Sequence, residues 1–64
     1  MPVIEVKMYA GRSREDKARL VKRLTEAVVE SLGISAGAVT IILHDVSKED
    51  WAKAGEIVAD RAKT

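Results

Sequence analysis

The second residue of the chain, Pro2, is the one with the clearest chemical potential. Cells commonly trim an initiator methionine when the next residue is small, and removal of Met1 leaves Pro2 as a secondary amine at the chain terminus. An ordinary α-amino group titrates at about 7.7 to 8.0, and a desolvated site with a neighbouring cation lowers that pKa towards neutrality. Such an amine is suited to general-base catalysis. Alternatively, Pro2 only begins an edge strand, where its missing N–H costs no hydrogen bond; with Met1 retained, its nitrogen is an amide and not a base.

Length and composition limit what else the chain can do. Its 64 residues form one domain, predicted to span 1–64, and a chain this short buries only about 60 % of its unfolded surface. It has no cysteine and a single histidine, so neither disulfides nor a metal site is expected to stabilise it. A hydrophobic fraction of 47 % beside 33 % charged residues therefore predicts burial of surface against copies of the same chain.

The charge balance and the lack of a long apolar run indicate which partners to exclude. A net charge of +1 predicts no nucleic-acid or membrane partner. No apolar run approaches the roughly 20 residues of a membrane span, and the start does not resemble a signal peptide. We therefore expect a cytoplasmic protein.

Two elements can be predicted in the first half of the chain. Apolar and polar residues alternate from Pro2 to Tyr9, with Ile4, Val6 and Met8 on one face, which predicts a strand with one buried face. A helix begins after Ser13, since Ser13 followed by Asp16 resembles a capping box. Gly33 ends it. Its apolar stripe consists of Leu20, Val21, Leu24, Ala27, Val28 and Leu32.

The second half begins with another strand, predicted from about Ala38 to Val46. One helix between two strands predicts a parallel pair, and thus an α/β fold built on a single βαβ unit. The helix covers one face of this sheet, whereas Val3 and Ile42 are left on the other, so we expect a second subunit to cover it. The tail from 47 to 64 has two interpretations: a helix lined by Trp51, Ala54 and Val58, or a hairpin or arm at Gly55.

In order and spacing, these features resemble the 4-oxalocrotonate tautomerase family from Pro2 to about Asp60. The resemblance implies a cofactor-free tautomerase or isomerase that moves a proton in a small 2-hydroxydienoate, enol or keto carboxylate. It also implies a homohexamer, a trimer of dimers in which two βαβ units form a four-stranded sheet and more than one subunit contributes to each pocket. The matching features are the N-terminal proline, the strand Val3 to Tyr9, the turn Gly11-Arg12-Ser13, the helix ending at Leu32-Gly33, the strand Ala38 to Val46 and the aromatic Trp51.

The resemblance also implies roles for five residues. Pro2 matches the catalytic base, Arg12 the arginine that grips a substrate carboxylate, and Trp51 the aromatic residue that closes the pocket. The backbone N–H of Tyr9 matches a pocket amide. Thr40 stands where well-studied members carry a second arginine that polarises the substrate carbonyl, so the strongest donor to a developing enolate is missing; Lys7 is an alternative source of positive charge.

Two other functions remain open on the sequence alone. A self-assembling scaffold could keep the family fold without its chemistry, which a retained Met1 and Thr40 would favour. A proline-dependent dehalogenase or decarboxylase would instead use protonated Pro2 as an acid, with Asp45 or Glu5 activating water. No metal or other cofactor is expected in any of these cases.

Overall fold

A computed structural model describes residues 1–61 of the chain. Two strands and a long helix form the first unit, and a small hairpin with a short helix follows it. In chain order the elements are β1 (Val3–Tyr9), α1 (Arg14–Leu32), a 3-10 turn (Ala36–Ala38), β2 (Thr40–Val46), a second 3-10 turn (Lys48–Asp50), β3 (Ala52–Lys53), β4 (Glu56–Ile57) and α2 (Val58–Arg61). Positions 62 to 64 of the predicted tail lie outside the described residues.

The predicted parallel βαβ unit is confirmed. Strand β1 pairs with β2 in parallel, in a register that runs from Val3 opposite Thr40 to Tyr9 opposite Val46. The alternation along β1 is regular, since every second side chain is half-buried and those between are exposed. Helix α1 covers the face that carries Ile4, Val6 and Met8.

Both ends of α1 are fixed by local hydrogen bonds. The Ser13 hydroxyl accepts a hydrogen bond from the backbone N–H of Asp16 at 3.1 Å, which satisfies one of the free donors of the first turn. At the other end Gly33 adopts a left-handed conformation with φ of 66°, which glycine does without steric cost. The predicted boundaries of the helix are therefore those of the structure.

Strand β2 begins two residues later than the sequence predicted. The N–H of Ala38 donates to the carbonyl of Ser35, and the N–H of Val39 donates to that of Ala36, both at 3.1 Å. These backbone groups close a 3-10 turn and do not pair with β1. The strand consequently starts at Thr40.

The tail forms a hairpin, so of its two interpretations the helix is wrong over residues 51 to 57. Strands β3 and β4 pair antiparallel, with Ala52 opposite Ile57. The two residues of the turn, Ala54 and Gly55, have φ of 53° and 82°, and positive φ at both positions is characteristic of a type I′ hairpin turn. A helix, α2, begins only at Val58.

The described chain has no buried core of its own. None of the side chains in residues 1–61 is buried, and Val3 and Ile42 on the uncovered sheet face are 57 % and 43 % exposed. The radius of gyration is 15.1 Å, whereas a compact domain of this length has one of about 11 Å. Much apolar surface is thus available for contact with other chains.

Candidate active site

The start of the sheet holds two of the five predicted site residues, Pro2 and Thr40. The carbonyl of Pro2 accepts a hydrogen bond from the N–H of Thr40 at 3.1 Å, which ties the residue before β1 to the first residue of β2. Pro2 is half-buried, and Thr40 is exposed. Met1 precedes Pro2 and is 95 % exposed, so nothing in the described chain shields the bond that trimming would cleave.

The opposite end of the sheet holds an aromatic pair, Tyr9 and Trp51. Their ring centroids are 4.5 Å apart with an angle of 63° between the planes, an edge-to-face arrangement that aromatic pairs favour. The carbonyl of Trp51 accepts a hydrogen bond from the N–H of Val58 at 2.7 Å, so the hairpin holds Trp51 in place. Lys48 approaches the same Tyr9 ring, with its Nζ 5.3 Å from the centroid.

Arg12 follows this end of β1 and lies beside the first turn of α1. One of its guanidinium nitrogens is 3.7 Å from a carboxylate oxygen of Asp16, and its side chain is 69 % exposed. Arg19 binds the same carboxylate more closely, at 2.7 Å. The hydrogen bond and charge of Arg19, followed by the charge of Arg12, lower the pKa of Asp16 below its ordinary 3.8. Sequence reasoning did not predict this contact, although the four-residue spacing of Arg12 and Asp16 could have indicated it.

The N–H of Tyr9 lies at an edge of the sheet that is unpaired in the described chain. The carbonyl of Pro2 and the N–H of Ala10 both bond to β2. Because alternate residues of a strand direct their backbone groups to opposite sides, the N–H and C=O groups of Val3, Glu5, Lys7 and Tyr9 point away from β2.

The five predicted residues therefore form two groups at opposite ends of one chain. Strand β1 has seven residues, and at about 3.3 Å per residue its ends are about 20 Å apart. Pro2 and Thr40 occupy one end, whereas Tyr9, Arg12 and Trp51 occupy the other. No single chain can bring its own Pro2 and Arg12 to one small substrate.

A shallow cavity of about 300 Å³ opens at the second end, close to the lower limit for small-molecule sites. It brings together the two cations Arg12 and Lys48. Sequence reasoning missed Lys48, whose only local signal is its position three residues before Trp51. The lining residues are Tyr9, Ala10, Gly11, Arg12, Asp16 and Lys48.

The two carboxylates considered for water activation both contact basic side chains elsewhere. Glu5 contacts His44 at 2.9 Å across the uncovered face of the sheet. Asp45 pairs with Lys17 of α1 on the covered face. Within residues 1–61 there is no group of three or more histidine or acidic side chains placed to hold a metal ion, and no helix there is long and apolar enough to cross a membrane.

Comparison with known proteins identifies the family to which this chain belongs. The family profile described as "Tautomerase enzyme" matches residues 2–61. The 2-hydroxymuconate tautomerase of Comamonas testosteroni is 40 % identical over 55 residues, which are 86 % of this chain and 87 % of that protein. The chain therefore belongs to the tautomerase family, and it is an isomerase of the 4-oxalocrotonate tautomerase type, as the resemblance predicted.

Solved structures give the same result for the fold. TomN, a 4-oxalocrotonate tautomerase homologue of the tomaymycin biosynthetic pathway, matches with a TM-score of 0.95 and 36 % identity over 98 % of this chain and 97 % of its own. A heterohexameric 4-oxalocrotonate tautomerase from Chloroflexus aurantiacus J-10-fl matches with a TM-score of 0.88 and 28 % identity over 94 % and 97 % of the two chains. Proteins with this fold thus include hexamers.

Proposed function

We propose that the protein is a cofactor-free tautomerase that acts on a small enol or 2-hydroxydienoate carboxylate, with the amine of a trimmed Pro2 as its base. The observation that carries this proposal is the family match, which begins at Pro2 itself and extends through Arg12 and Trp51. The relative named 2-hydroxymuconate tautomerase supports the substrate class.

The proposed reaction needs one group that both accepts and donates a proton. The lone pair of the Pro2 nitrogen takes the hydroxyl proton of the enol, and the O–H electron pair forms the C=O bond. The C=C electrons move towards the carbon that is to be protonated. That carbon then takes a proton from the pyrrolidinium, so the amine is regenerated. A single base placed beside both atoms is sufficient for this transfer.

Arg12 and Trp51 bind and enclose the substrate in this scheme. The planar guanidinium of Arg12 can hold a carboxylate through two parallel hydrogen bonds. The substrate then competes with the Asp16 carboxylate, which lies 3.7 Å from the Arg12 guanidinium. Because this contact is long, it leaves most of the guanidinium donors free. The indole of Trp51 supplies apolar surface beside them, which excludes water and disfavours a charged amine.

The site requires at least two chains, and the free edge of β1 offers a way to bring them together. Antiparallel pairing of two β1 strands makes a four-stranded sheet and places the end of one strand next to the start of the other. Tyr9, Arg12 and Trp51 of one chain then lie near Pro2 of its partner. Pairing through β2 would instead leave the two β1 strands on the outside, too far apart to share a substrate. We propose that three such pairs form a homohexamer.

The structure offers nothing in favour of the dehalogenase or decarboxylase. That chemistry needs a carboxylate that is free to activate water near Pro2. Within residues 1–61 Asp45 pairs with Lys17 and Glu5 contacts His44, so each carboxylate already has a partner other than a catalytic water.

The decisive experiment compares protein with and without Met1 in the conversion of an enol such as phenylenolpyruvate to its keto form. We expect retention of Met1 to lower kcat by about 10² to 10⁴, the usual contribution of a general base, because an amide nitrogen has no usable lone pair. Sedimentation should show the same oligomeric state for both forms, and trimmed Pro2→Ala, which still offers a primary amine, is the matched variant. Equal activity would exclude the amine as base. Inactivity of both forms would favour the scaffold.

A further inference from the structure

We infer that Lys48 is a second substrate-binding cation, which together with Arg12 makes the site select dicarboxylates over monocarboxylates. This inference rests on the proposed function, since it concerns the same pocket.

The position of Lys48 is fixed by the turn that precedes the hairpin. The Ser47 hydroxyl accepts a hydrogen bond from the N–H of Glu49 at 3.1 Å, and the Ser47 carbonyl accepts one from the N–H of Asp50 at 2.8 Å. This 3-10 turn directs Lys48 over the ring of Tyr9, with Nζ 5.3 Å from the centroid. A cation at this distance from an aromatic face is attracted to it.

Lys48 is also available to an anion, because it makes no ion pair within residues 1–61. The acid that shares its cavity, Asp16, is already bound by Arg19 at 2.7 Å and Arg12 at 3.7 Å. Lys17, which belongs to the first turn of α1, is paired with Asp45. Within the described part of the chain, Lys48 is therefore open to a ligand carboxylate.

The two cations suit two separate anionic groups. Arg12 offers a planar fork for one carboxylate, while Lys48 offers a compact point charge that can follow a second one on a flexible stem. Both line the same cavity of about 300 Å³. A ligand with one carboxylate satisfies Arg12 and leaves Lys48 unused, whereas a dicarboxylate uses both.

Binding can be measured without turnover, through the fluorescence of Trp51, the only tryptophan in the chain. Its contact with Tyr9 places it beside the cavity. The probes are trans,trans-muconate and sorbate, which share a six-carbon diene and differ by one carboxylate. We expect the assembled protein to bind muconate about ten-fold more tightly than sorbate, as one added charge-assisted hydrogen bond implies.

Four variants separate a specificity role from a structural one. Lys48→Met should lose the ten-fold preference and bind muconate as weakly as sorbate, whereas Lys48→Arg should retain it. Lys22→Met removes the same charge from the exposed side of α1 and should behave as the unmodified protein. Arg12→Ala should weaken the binding of both ligands.

Three results would overturn the inference: Lys48→Met keeps the preference for muconate, the unmodified protein shows no such preference, or Lys48→Met weakens the binding of muconate and of sorbate equally. None of these results depends on the base. Trimming of Met1 should change turnover and leave the preference for muconate intact, so a failed base and a failed Lys48 give different results.

Discussion

Substitution of Lys7 by proline tests whether the free edge of β1 joins two chains. The N–H of Lys7 points away from β2, so its removal breaks no hydrogen bond between β1 and β2. Proline is tolerated at the edge of a sheet for this reason. The βαβ unit of a single chain should therefore survive the change, while any chain paired with that edge loses a donor.

The size of the effect follows from the symmetry of the proposed pair. Each of two chains loses one N–H, so one pair of chains loses two hydrogen bonds. At about 0.5 to 1.5 kcal/mol net for each bond, association weakens by about 1 to 3 kcal/mol. Because 1.4 kcal/mol is a factor of ten, the dissociation constant should rise by about 5- to 150-fold.

Sedimentation velocity over a series of protein concentrations measures this shift directly. Lys7→Ala is the matched control, since it removes the same side chain and charge but keeps the backbone N–H. Circular dichroism checks that the helix content is unchanged. If Lys7→Pro retains the mass of the unmodified protein at every concentration, the β1 edge is not the interface, and the composite site loses its structural basis.

Two further predictions concern stability and charge. Ala54→Gly should raise the free energy of unfolding by about 0.5 to 1 kcal/mol. The φ of 53° at Ala54 strains a residue with a Cβ, and relief of this strain outweighs the entropy that glycine adds to the unfolded state. Ala52→Gly in β3 should lower the free energy of unfolding, and denaturant titration at fixed protein concentration compares the two variants. Arg19→Ala should raise the pKa of Asp16 towards 3.8, as followed by NMR, whereas Lys22→Ala should not change it. A lowered carboxyl pKa stabilises the folded state at pH values above the ordinary pKa, and this stabilisation is lost as pH falls through the lowered value. Arg19→Ala should therefore also reduce the loss of unfolding free energy that the native protein shows in acid. An unchanged Asp16 pKa in Arg19→Ala would contradict this account.

The elements that could be predicted are those whose signals are local. Ser13 and Gly33 bound α1 because a cap depends only on residues within one turn of the chain. The alternation along β1 indicated its two faces for the same reason. The tail was ambiguous because an alanine at position 54 does not indicate a positive φ, whereas the glycine at position 55 does. Only the backbone of the hairpin shows that Ala54 has a φ of 53°.

The residues of the candidate site also divide into those that the sequence indicated and those that only the fold placed. The sequence by itself determined the family and pointed to Pro2, Arg12 and Trp51, because their order and spacing can be read along the chain without knowledge of contacts. Only the tertiary structure decided that Trp51 joins Tyr9 at the end of β1 opposite Pro2, since the contact of the two rings depends on the hairpin that follows β2. It alone also decided that Lys48 lies over Tyr9, because residues so far apart in the chain meet only through the pairing of β1 with β2 and the turn that follows it.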